Sequence, residues 1–277
     1  MRKLSLNNKI LPQNDFYEHV NSNWIKKNKI PNDEVYTGTF KILRNKNDTI
    51  IKKIIEDIAK KSSVIDKTSD KIRTLYNQGM NTKSIDKLGI IPIESYLNHI
   101  DNENNITTLL TYLHKIGITA FFGVTDNADK DNSNKTILYI YQGGVGLPNK
   151  LYYFDKDKAN IRDQYKIYMK KQLLNFKFPT KAIAKTVNTI YNLEKKLVSN
   201  FYTPEEYRDV HRTYNSTSIK DMANIISSID FKKYLIGIGL KNVDKIKFNV
   251  DNYKYFKELH KLLKSEKLAD IKLYFKW

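Results

Sequence analysis

Apolar residues recur at mixed intervals of three and four along much of the chain, the spacing that places side chains on one face of a helix. The pattern is clearest in segments 40–60 and 180–201. Weaker versions of it predict further helices near 68–79, 106–116, 158–176, 219–229 and 252–264. The predicted fold class is therefore mainly α.

Two helix starts have recognisable amino-terminal caps in the sequence. In "TPEE" (203–206), Thr203 occupies the N-cap, Pro204 the first helical position, and Glu206 the position that closes a capping box. Ser218 and Asp221 have the same spacing, which predicts a second helix start there.

Strand-like segments are few. "ITAFFGVT" (118–125) and "KTILYIYQ" (135–142) are rich in β-branched and aromatic residues, and only polar turn-formers separate them. They predict one antiparallel hairpin with a long loop, at about 118–142. The alternating "KIKFNV" (245–250) predicts a short third strand. The expected architecture is a multi-helix domain with one β-hairpin.

Composition narrows the class of protein. With 40% hydrophobic and 12% aromatic residues the chain is typical of globular proteins. It has no cysteine, which excludes disulfides and thiolate metal sites and fits a reducing compartment. The opening residues contain no apolar run typical of a signal peptide, and no later segment is expected to anchor the chain in a membrane. The expected location is cytoplasmic.

The net charge of +18 raises the question of an anionic partner. The excess is almost entirely lysine and is dispersed along the chain, whereas arginine makes most bidentate contacts with phosphate and guanine. No nucleic-acid partner is therefore expected, and a basic nucleic-acid-associated protein is the least favoured function.

The glycine-rich segment "IYQGGVGLPNK" (140–150) follows a predicted strand, as phosphate-binding loops do. A Walker loop would place its second glycine at Pro148, which has no N–H, and a dinucleotide fingerprint would place its third at Asn149. The next helical pattern begins only at about Lys158, so no helix is expected to open at the glycines. The interpretation is that they allow a backbone turn closed to other residues.

No other motif predicts catalysis. The five histidines are too far apart for HExxH, there is no thiol nucleophile, and no serine lies in a Gly-x-Ser-x-Gly elbow. The paired Glu205 and Glu206 are better explained by the helix start. The residues alone thus predict no catalytic and no metal-binding side chain.

Several motifs, in order along the chain, resemble the amino-terminal region of the neprilysin and endothelin-converting-enzyme family of zinc metallopeptidases. The first, at 14–47, matches through Asp15, Phe16, Tyr17, Val20, Asn21, Asn23, Trp24, Ile30, Pro31, Gly38, Phe40, Leu43 and Arg44. The others are "MNTKSIDKLGIIPI" (80–93), "ILYIYQGGVGLPNKLYYF" (137–154), "LEKKL" (193–197), "TPEEYRD" (203–209) and "TYN" (213–215). The resemblance covers about 14–277 and leaves 1–13 as an amino-terminal tail.

In that family the helical region closes over a catalytic domain and forms a chamber that admits peptides. The resemblance implies that this chain is truncated before the catalytic domain, which holds HExxH and the other zinc ligands. It implies no cofactor in this chain and zinc in the absent domain. The chain is therefore expected to be inactive alone, with peptide substrates and a separate catalytic metallopeptidase chain as partners.

One binding residue is implied by the resemblance. The family holds the carboxyl-terminal side of its substrate partly through an arginine, an aspartate and a second arginine, which fall here on Tyr36, Lys41 and Arg44. Only Arg44 is kept. It is either a substrate-binding residue or an arginine of the helix surface. A standalone peptide- or protein-binding helical module is the alternative function.

Overall fold

Helices dominate the computed structural model, which describes residues 5–32, 34, 36–61 and 66–277. The chain divides into two units, Met1–Lys87 and Leu88–Trp277, here called unit 1 and unit 2. None of the helices in the described part of the chain combines the length and the apolar character needed to cross a bilayer.

Unit 1 is built from helices. They are α1 (Phe16–Lys27), α2 (Thr39–Ala59), α3 (Lys67–Met80) and α4 (Thr82–Leu88), the last ending just past the boundary. The Asp15 carboxylate caps α1 by accepting the Glu18 N–H at 2.8 Å, and Asp66 caps α3 in the same way. The helices predicted at 40–60 and 68–79 are confirmed. Helices α1 and α4 were not predicted, although Phe16, Val20 and Trp24 of α1 recur at intervals of four.

Apolar side chains of unit 1 remain accessible. Among the described residues, every buried hydrophobic side chain lies in unit 2, and Ser22 is the buried residue of unit 1. Phe40 is 89% exposed and Leu75 is 73% exposed. Because burial of apolar surface is the main stabilising contribution in folding, unit 1 has little core of its own.

The amino-terminal segment follows α1 through hydrogen bonds. The Asn7 N–H donates to the His19 carbonyl at 2.7 Å, and the Asn7 side chain donates to the Ser22 hydroxyl at 2.8 Å. The Asn23 amide donates to the Ser5 and Leu6 carbonyls at 3.2 and 3.0 Å. Side chains of α1 thus fix the course of residues 5–7.

Unit 2 contains the remaining elements, mostly helices. The longer helices are α5 (Ile91–Asn102), α6 (Ile106–Lys115), α8 (Ala159–Asn175), α9 (Ile183–Val198), α14 (Tyr253–Ser265) and α15 (Leu268–Lys276). The shorter helices are α7 (Lys150–Phe154), α10 (Pro204–Tyr207), α11 (Val210–Thr213), α12 (Ile219–Ile225) and α13 (Phe231–Gly237). Single 3₁₀ turns occur at Lys156–Lys158, Thr180–Ala182 and Val243–Lys245. The strands are β1 (Phe122–Ala128), β2 (Thr136–Gln142), β3 (Ser216–Thr217) and β4 (Phe248–Val250).

Helix α9 is the central helix of unit 2 and packs against α8, α14 and α15. Its predicted apolar stripe is buried throughout: Ile183, Val187, Ile190, Leu193 and Leu197 are each at most 6% exposed. The predicted capping boxes are also confirmed, at Thr203 with Glu206 and at Ser218 with Asp221.

The predicted hairpin is present, but it belongs to a sheet of four strands in the order β1-β2-β4-β3. Strands β1 and β2 pair antiparallel, β4 pairs parallel with β2, and β3 pairs antiparallel with β4. Ile140 of β2, which pairs with Val250 of β4, is completely buried. The third strand is shorter than predicted because a 3₁₀ turn precedes it, and β3 was not predicted.

Two predicted boundaries were wrong for identifiable reasons. Residues 118–121 do not belong to β1, because Phe121 adopts φ +59° and the Phe122 N–H turns back to the Ala120 carbonyl at 2.7 Å. The helix predicted at 219–229 ends at Ile225, because Asp230 caps a new helix there by accepting the Lys233 N–H. A tight turn and a cap therefore override the apolar pattern.

Candidate functional site: two cavities and two buried carboxylates

Arg44, the residue implied to bind substrate, lies on the exposed surface of α2 in unit 1. Tyr36 and Lys41, the two other positions of the same motif, lie close to each other. The Lys41 ammonium forms an ion pair with Glu34 at 2.6 Å and lies 5.8 Å from the centre of the Tyr36 ring. The cation of Lys41 is therefore partly neutralised, whereas Arg44 presents its charge to solvent.

A cavity of about 540 Å³ lies within unit 1, between α1 and the segment that leads into α2. Its lining includes Tyr17, Asn21 and Trp24 of α1 and Gly38 at the amino-terminal end of α2. These residues belong to the motif at 14–47 that carries the resemblance. Arg44 lies farther along α2 and does not line this cavity.

In unit 2, the glycine-rich segment forms a loop, residues 143–149, between β2 and α7. The interpretation that its glycines allow a special turn is confirmed at Gly144, which has φ +78°. A Cβ atom there would lie 2.3 Å from the Phe121 nitrogen, and one at Gly146 would lie 2.0 Å from the Tyr165 hydroxyl. Close approach of neighbouring groups thus requires glycine at both positions.

The expectation that no helix begins before Lys158 was wrong, because α7 begins at Lys150 with Asn149 as its cap. The loop nevertheless offers no cradle for phosphate. The Gly146 N–H donates to the Glu194 carboxylate at 3.1 Å, and the Leu147 N–H donates to the Tyr153 hydroxyl at 3.1 Å. The Glu194 carboxyl group and the Tyr153 hydroxyl thus already accept N–H groups that a phosphate would need.

Glu194 of α9 is 1% exposed and is the acceptor for this loop. The Tyr153 hydroxyl donates to one carboxylate oxygen at 2.9 Å, and the Tyr165 hydroxyl donates to both at 2.9 and 3.0 Å. Burial raises the pKa of Glu194 to about 7, although these donors and the Gly146 N–H lower it. The carboxylate joins the glycine loop to α8 and α9.

A tryptophan extends this cluster. The Trp277 indole N–H donates to the Tyr165 hydroxyl at 2.9 Å. Trp277, Glu194 and Tyr274 also line a smaller cavity of about 260 Å³ beside Gly144 and Gly146. The glycine loop therefore lies between this smaller cavity and a larger one.

The larger cavity of unit 2 has a volume of about 660 Å³ and is lined by residues 141–149, 201–204, 207 and 208. A second buried carboxylate, Asp251, does not line this cavity but contacts Tyr207, which does, and is 4% exposed. The Tyr207 hydroxyl donates a hydrogen bond to its Oδ2, and burial raises the pKa of Asp251 to about 6.

Neither buried carboxylate was predicted. Glu194 lies four residues after Ile190 and three before Leu197, on the apolar stripe of α9, and a charge on such a stripe is the signal that could have identified it. Asp251 directly follows the predicted third strand, where an acidic residue carries no comparable signal.

Four of the five histidines have an identified contact within their own unit. Three of them have separate hydrogen-bond partners: His19 the Ile10 carbonyl, His114 the Tyr234 hydroxyl, and His260 the Ser228 hydroxyl. The His99 ring lies against Tyr112 at 3.9 Å. Within the described residues, no group of three histidine, aspartate or glutamate side chains could hold a metal ion.

Comparison with known proteins relates these features to a family. The model described as "Peptidase family M13" matches residues 12–277. Endothelin-converting enzyme 1 of Cavia porcellus is 25% identical over 243 residues, which cover 83% of this chain and 32% of the enzyme. Neprilysin-3 of Drosophila melanogaster is 28% identical over 230 residues, which cover 77% of this chain and 29% of that protein. The chain thus spans about a third of the length of these curated relatives.

A solved structure has the same fold. Zinc metalloprotease Zmp1 of Mycobacterium tuberculosis, in complex with an inhibitor, matches with a TM-score of 0.86 at 24% sequence identity. The match covers 99% of this chain and 43% of the Zmp1 chain. The mainly helical architecture with its small sheet is therefore also found in part of Zmp1.

Proposed function

Because the chain belongs to peptidase family M13, we propose that it is the substrate-enclosing, non-catalytic helical region of a zinc metalloendopeptidase. The resemblance to the neprilysin and endothelin-converting-enzyme family is confirmed by the match over 12–277. In the proposal, 14–277 forms the peptide-enclosing domain, 1–13 is its amino-terminal tail, and a catalytic region outside these residues cleaves the bound peptide.

The observation that carries the proposal is the apolar surface of unit 1. Phe40, Leu43, Ile50, Ile51 and Ile54 recur along one helix, α2, and each is about half exposed or more. Apolar surface of this kind marks an interface with another protein region. A separate catalytic metallopeptidase chain is the partner that we propose for this surface.

Zinc does not fit the described residues, among which no group of three histidine, aspartate or glutamate side chains could hold a metal ion. Four of the five histidines have other contacts, and the sequence contains no HExxH. We therefore derive no catalytic step through a metal in this chain, and assign zinc to the catalytic region. The test is a peptidase assay of the purified chain with added zinc, with and without a chelator. Chelator-sensitive cleavage would overturn the assignment.

Arg44 is the residue for which we propose contact with substrate. Its exposed guanidinium can bind the carboxylate of a peptide with two parallel hydrogen bonds. The fluorescein-labelled tetrapeptide Ala-Phe-Leu-Ala, as free acid and as carboxyl-terminal amide, would measure this contact by fluorescence anisotropy. We expect the free acid to bind several-fold more tightly, which corresponds to about 1 kcal/mol for a charged hydrogen bond at an exposed site.

The variant Arg44→Gln is expected to abolish the preference for the free acid. Lys53→Gln is the matched control, because it removes one exposed positive charge from the same helix. If both variants reduce the preference equally, general electrostatic attraction explains it, and Arg44 is an ordinary arginine of the helix surface.

A standalone peptide-binding module is the second candidate. It is favoured by the cavities of about 540 and 660 Å³, each of which lies within one unit and has a volume typical of ligand sites. The tetrapeptide distinguishes the two functions when it is titrated with and without a separately expressed HExxH-containing chain of the family. Binding that the second chain strengthens supports the enclosing role, and binding that it does not change supports the module.

A further inference from the structure

The two segments that line the larger cavity of unit 2 are joined by the side chain of Gln142. The Gln142 side-chain oxygen accepts the Tyr202 N–H at 2.9 Å, and its nitrogen donates to the Tyr202 carbonyl at 3.3 Å. The Asn252 amide donates to the same Gln142 oxygen at 2.9 Å and to the Asn200 carbonyl at 3.0 Å. A ligand would therefore enter a preformed site, which reduces the entropic cost of binding.

The lining of this cavity is aromatic. Tyr141, Tyr202 and Tyr207 all line it, on different elements of unit 2. The faces of such rings attract cations, and they do so more strongly when water is excluded. Tyr207 is 40% exposed, so part of its side chain is accessible to a ligand.

Tyr207 contacts a buried carboxylate, Asp251. Its hydroxyl donates to Asp251 Oδ2, whereas Asp251 Oδ1 is buried and has no hydrogen-bond partner in the described part of the chain. With a pKa of about 6, Asp251 is ionised at about pH 8. Backbone N–H groups of Gln142 and Asp251 and the Lys130 cation also lower the pKa of this carboxylate, but burial outweighs them, so a further cation nearby would stabilise it.

We propose that this cavity binds the guanidinium group of an arginine side chain from a peptide or protein. The planar, weakly hydrated guanidinium stacks on the accessible tyrosine surface, and Asp251, which accepts a hydrogen bond from Tyr207, supplies the opposite charge. Arg208 also lines the cavity, and its positive charge repels the bound guanidinium. The proposal does not depend on the peptide-enclosing function, because the site lies within unit 2 and Arg44 lies in unit 1.

The test uses the complete chain and two small probes. Nα-acetyl-arginine methylamide and its uncharged citrulline analogue are titrated at about pH 8, and binding is followed by amide chemical shifts in ¹⁵N NMR spectra. We expect the arginine probe to bind with a Kd of about 1 mM and the citrulline probe at least about tenfold more weakly.

Variants with opposite expected effects make the test specific. Asp251→Asn should weaken arginine binding about tenfold, whereas Arg208→Gln should strengthen it about threefold. Asp244→Asn, which removes an exposed carboxylate of unit 2, is the matched control and should change nothing. Since Arg208 is exposed, its variant remains informative even where Asp251→Asn fails to fold.

Equal binding of the two probes would overturn the proposal, as would the absence of arginine binding. An affinity that Arg208→Gln leaves unchanged or reduces would also overturn it. Arg44→Gln should leave this binding intact, so that failure of the peptide-enclosing function and failure of the arginine site are distinguishable.

Discussion

The buried carboxylate of Glu194 makes the stability of unit 2 depend on pH, and the variant Glu194→Gln tests this directly. In the folded protein the pKa of this group is raised from 4.5 to about 7 by burial. The folded state therefore keeps a proton in a pH range where the unfolded chain has released it. Raising the pH through this range favours the unfolded state.

The expected magnitude follows from the raised pKa. A shift from 4.5 to about 7 corresponds to about 3 kcal/mol of unfolding free energy. Wild type loses none of this unfolding free energy below about pH 4.5 and all of it above about pH 7. Glutamine does not ionise, so the variant should become about 3 kcal/mol more stable relative to wild type between about pH 4.5 and about pH 8.

The absolute stability of the variant is a separate quantity. The amide nitrogen of glutamine replaces an oxygen that accepts a hydrogen bond, and the Tyr153 hydroxyl already accepts the Leu147 N–H. The loss of a buried hydrogen bond costs about 1–3 kcal/mol at every pH. Asp251, whose pKa is raised to about 6, also makes stability fall with rising pH, but it does so equally in both proteins.

The assay is urea denaturation across this pH range, followed by the fluorescence of Trp277. This residue reports on the site, because its indole N–H donates to the Tyr165 hydroxyl that also contacts Glu194. Both proteins would carry Trp24→Phe, which leaves Trp277 as their single tryptophan. Glu205→Gln is the control, because this carboxylate is exposed and the variant should follow wild type at each pH.

The result that would refute the reasoning is a constant difference between wild type and Glu194→Gln. If the two unfolding free energies run parallel to within about 1 kcal/mol over the whole range, Glu194 does not titrate in the way that burial requires. A variant that loses stability relative to wild type as the pH rises would also refute the reasoning, because the pH dependence would then have the opposite sign.

Three further substitutions test other features of unit 2 by the same denaturation measurement. Gly144→Ala should cost more than about 2 kcal/mol of unfolding free energy, because its Cβ would collide with backbone atoms. Gly117→Ala, at a similar φ of +84° but in open space, should cost about 1 kcal/mol, and equal losses would contradict the steric argument. Ser218→Ala removes a capping box and should cost about 1 kcal/mol, whereas Ser227→Ala, an exposed control, should stay within about 0.5 kcal/mol. Phe122→Ala should cost about 3–5 kcal/mol because the ring is completely buried among aromatic neighbours, and a loss under about 1 kcal/mol would show that it is not a core residue.

Features set by neighbouring residues could be predicted from the sequence. The capping boxes at Thr203 and Ser218 depend on side chains three residues apart, and the buried stripe of α9 depends on a repeat within one helix. The hairpin is also a local feature, with β1 and β2 only a few residues apart. In each case one short segment of the sequence contains every group that forms the feature.

Features that join distant parts of the chain could not be predicted in the same way. Strand β4 pairs in parallel with β2, although Val250 and Ile140 lie far apart in sequence. The environment of Glu194 depends on Tyr153 and Tyr165 from other helices, and that of Asp251 depends on Tyr207. A pattern within one segment does not show which partners the other segments bring to it.

The tight turn at Phe121 depends on residues that are synthesised much later. Its positive φ is unfavourable for a side chain of this size, and groups from the far end of the chain hold it. The Tyr255 hydroxyl donates to the Phe121 carbonyl at 2.5 Å, and the Tyr274 hydroxyl accepts the Phe121 N–H at 2.9 Å. A ribosome makes Phe121 long before it makes either tyrosine, so the turn gains these two hydrogen bonds only after synthesis has passed Tyr274.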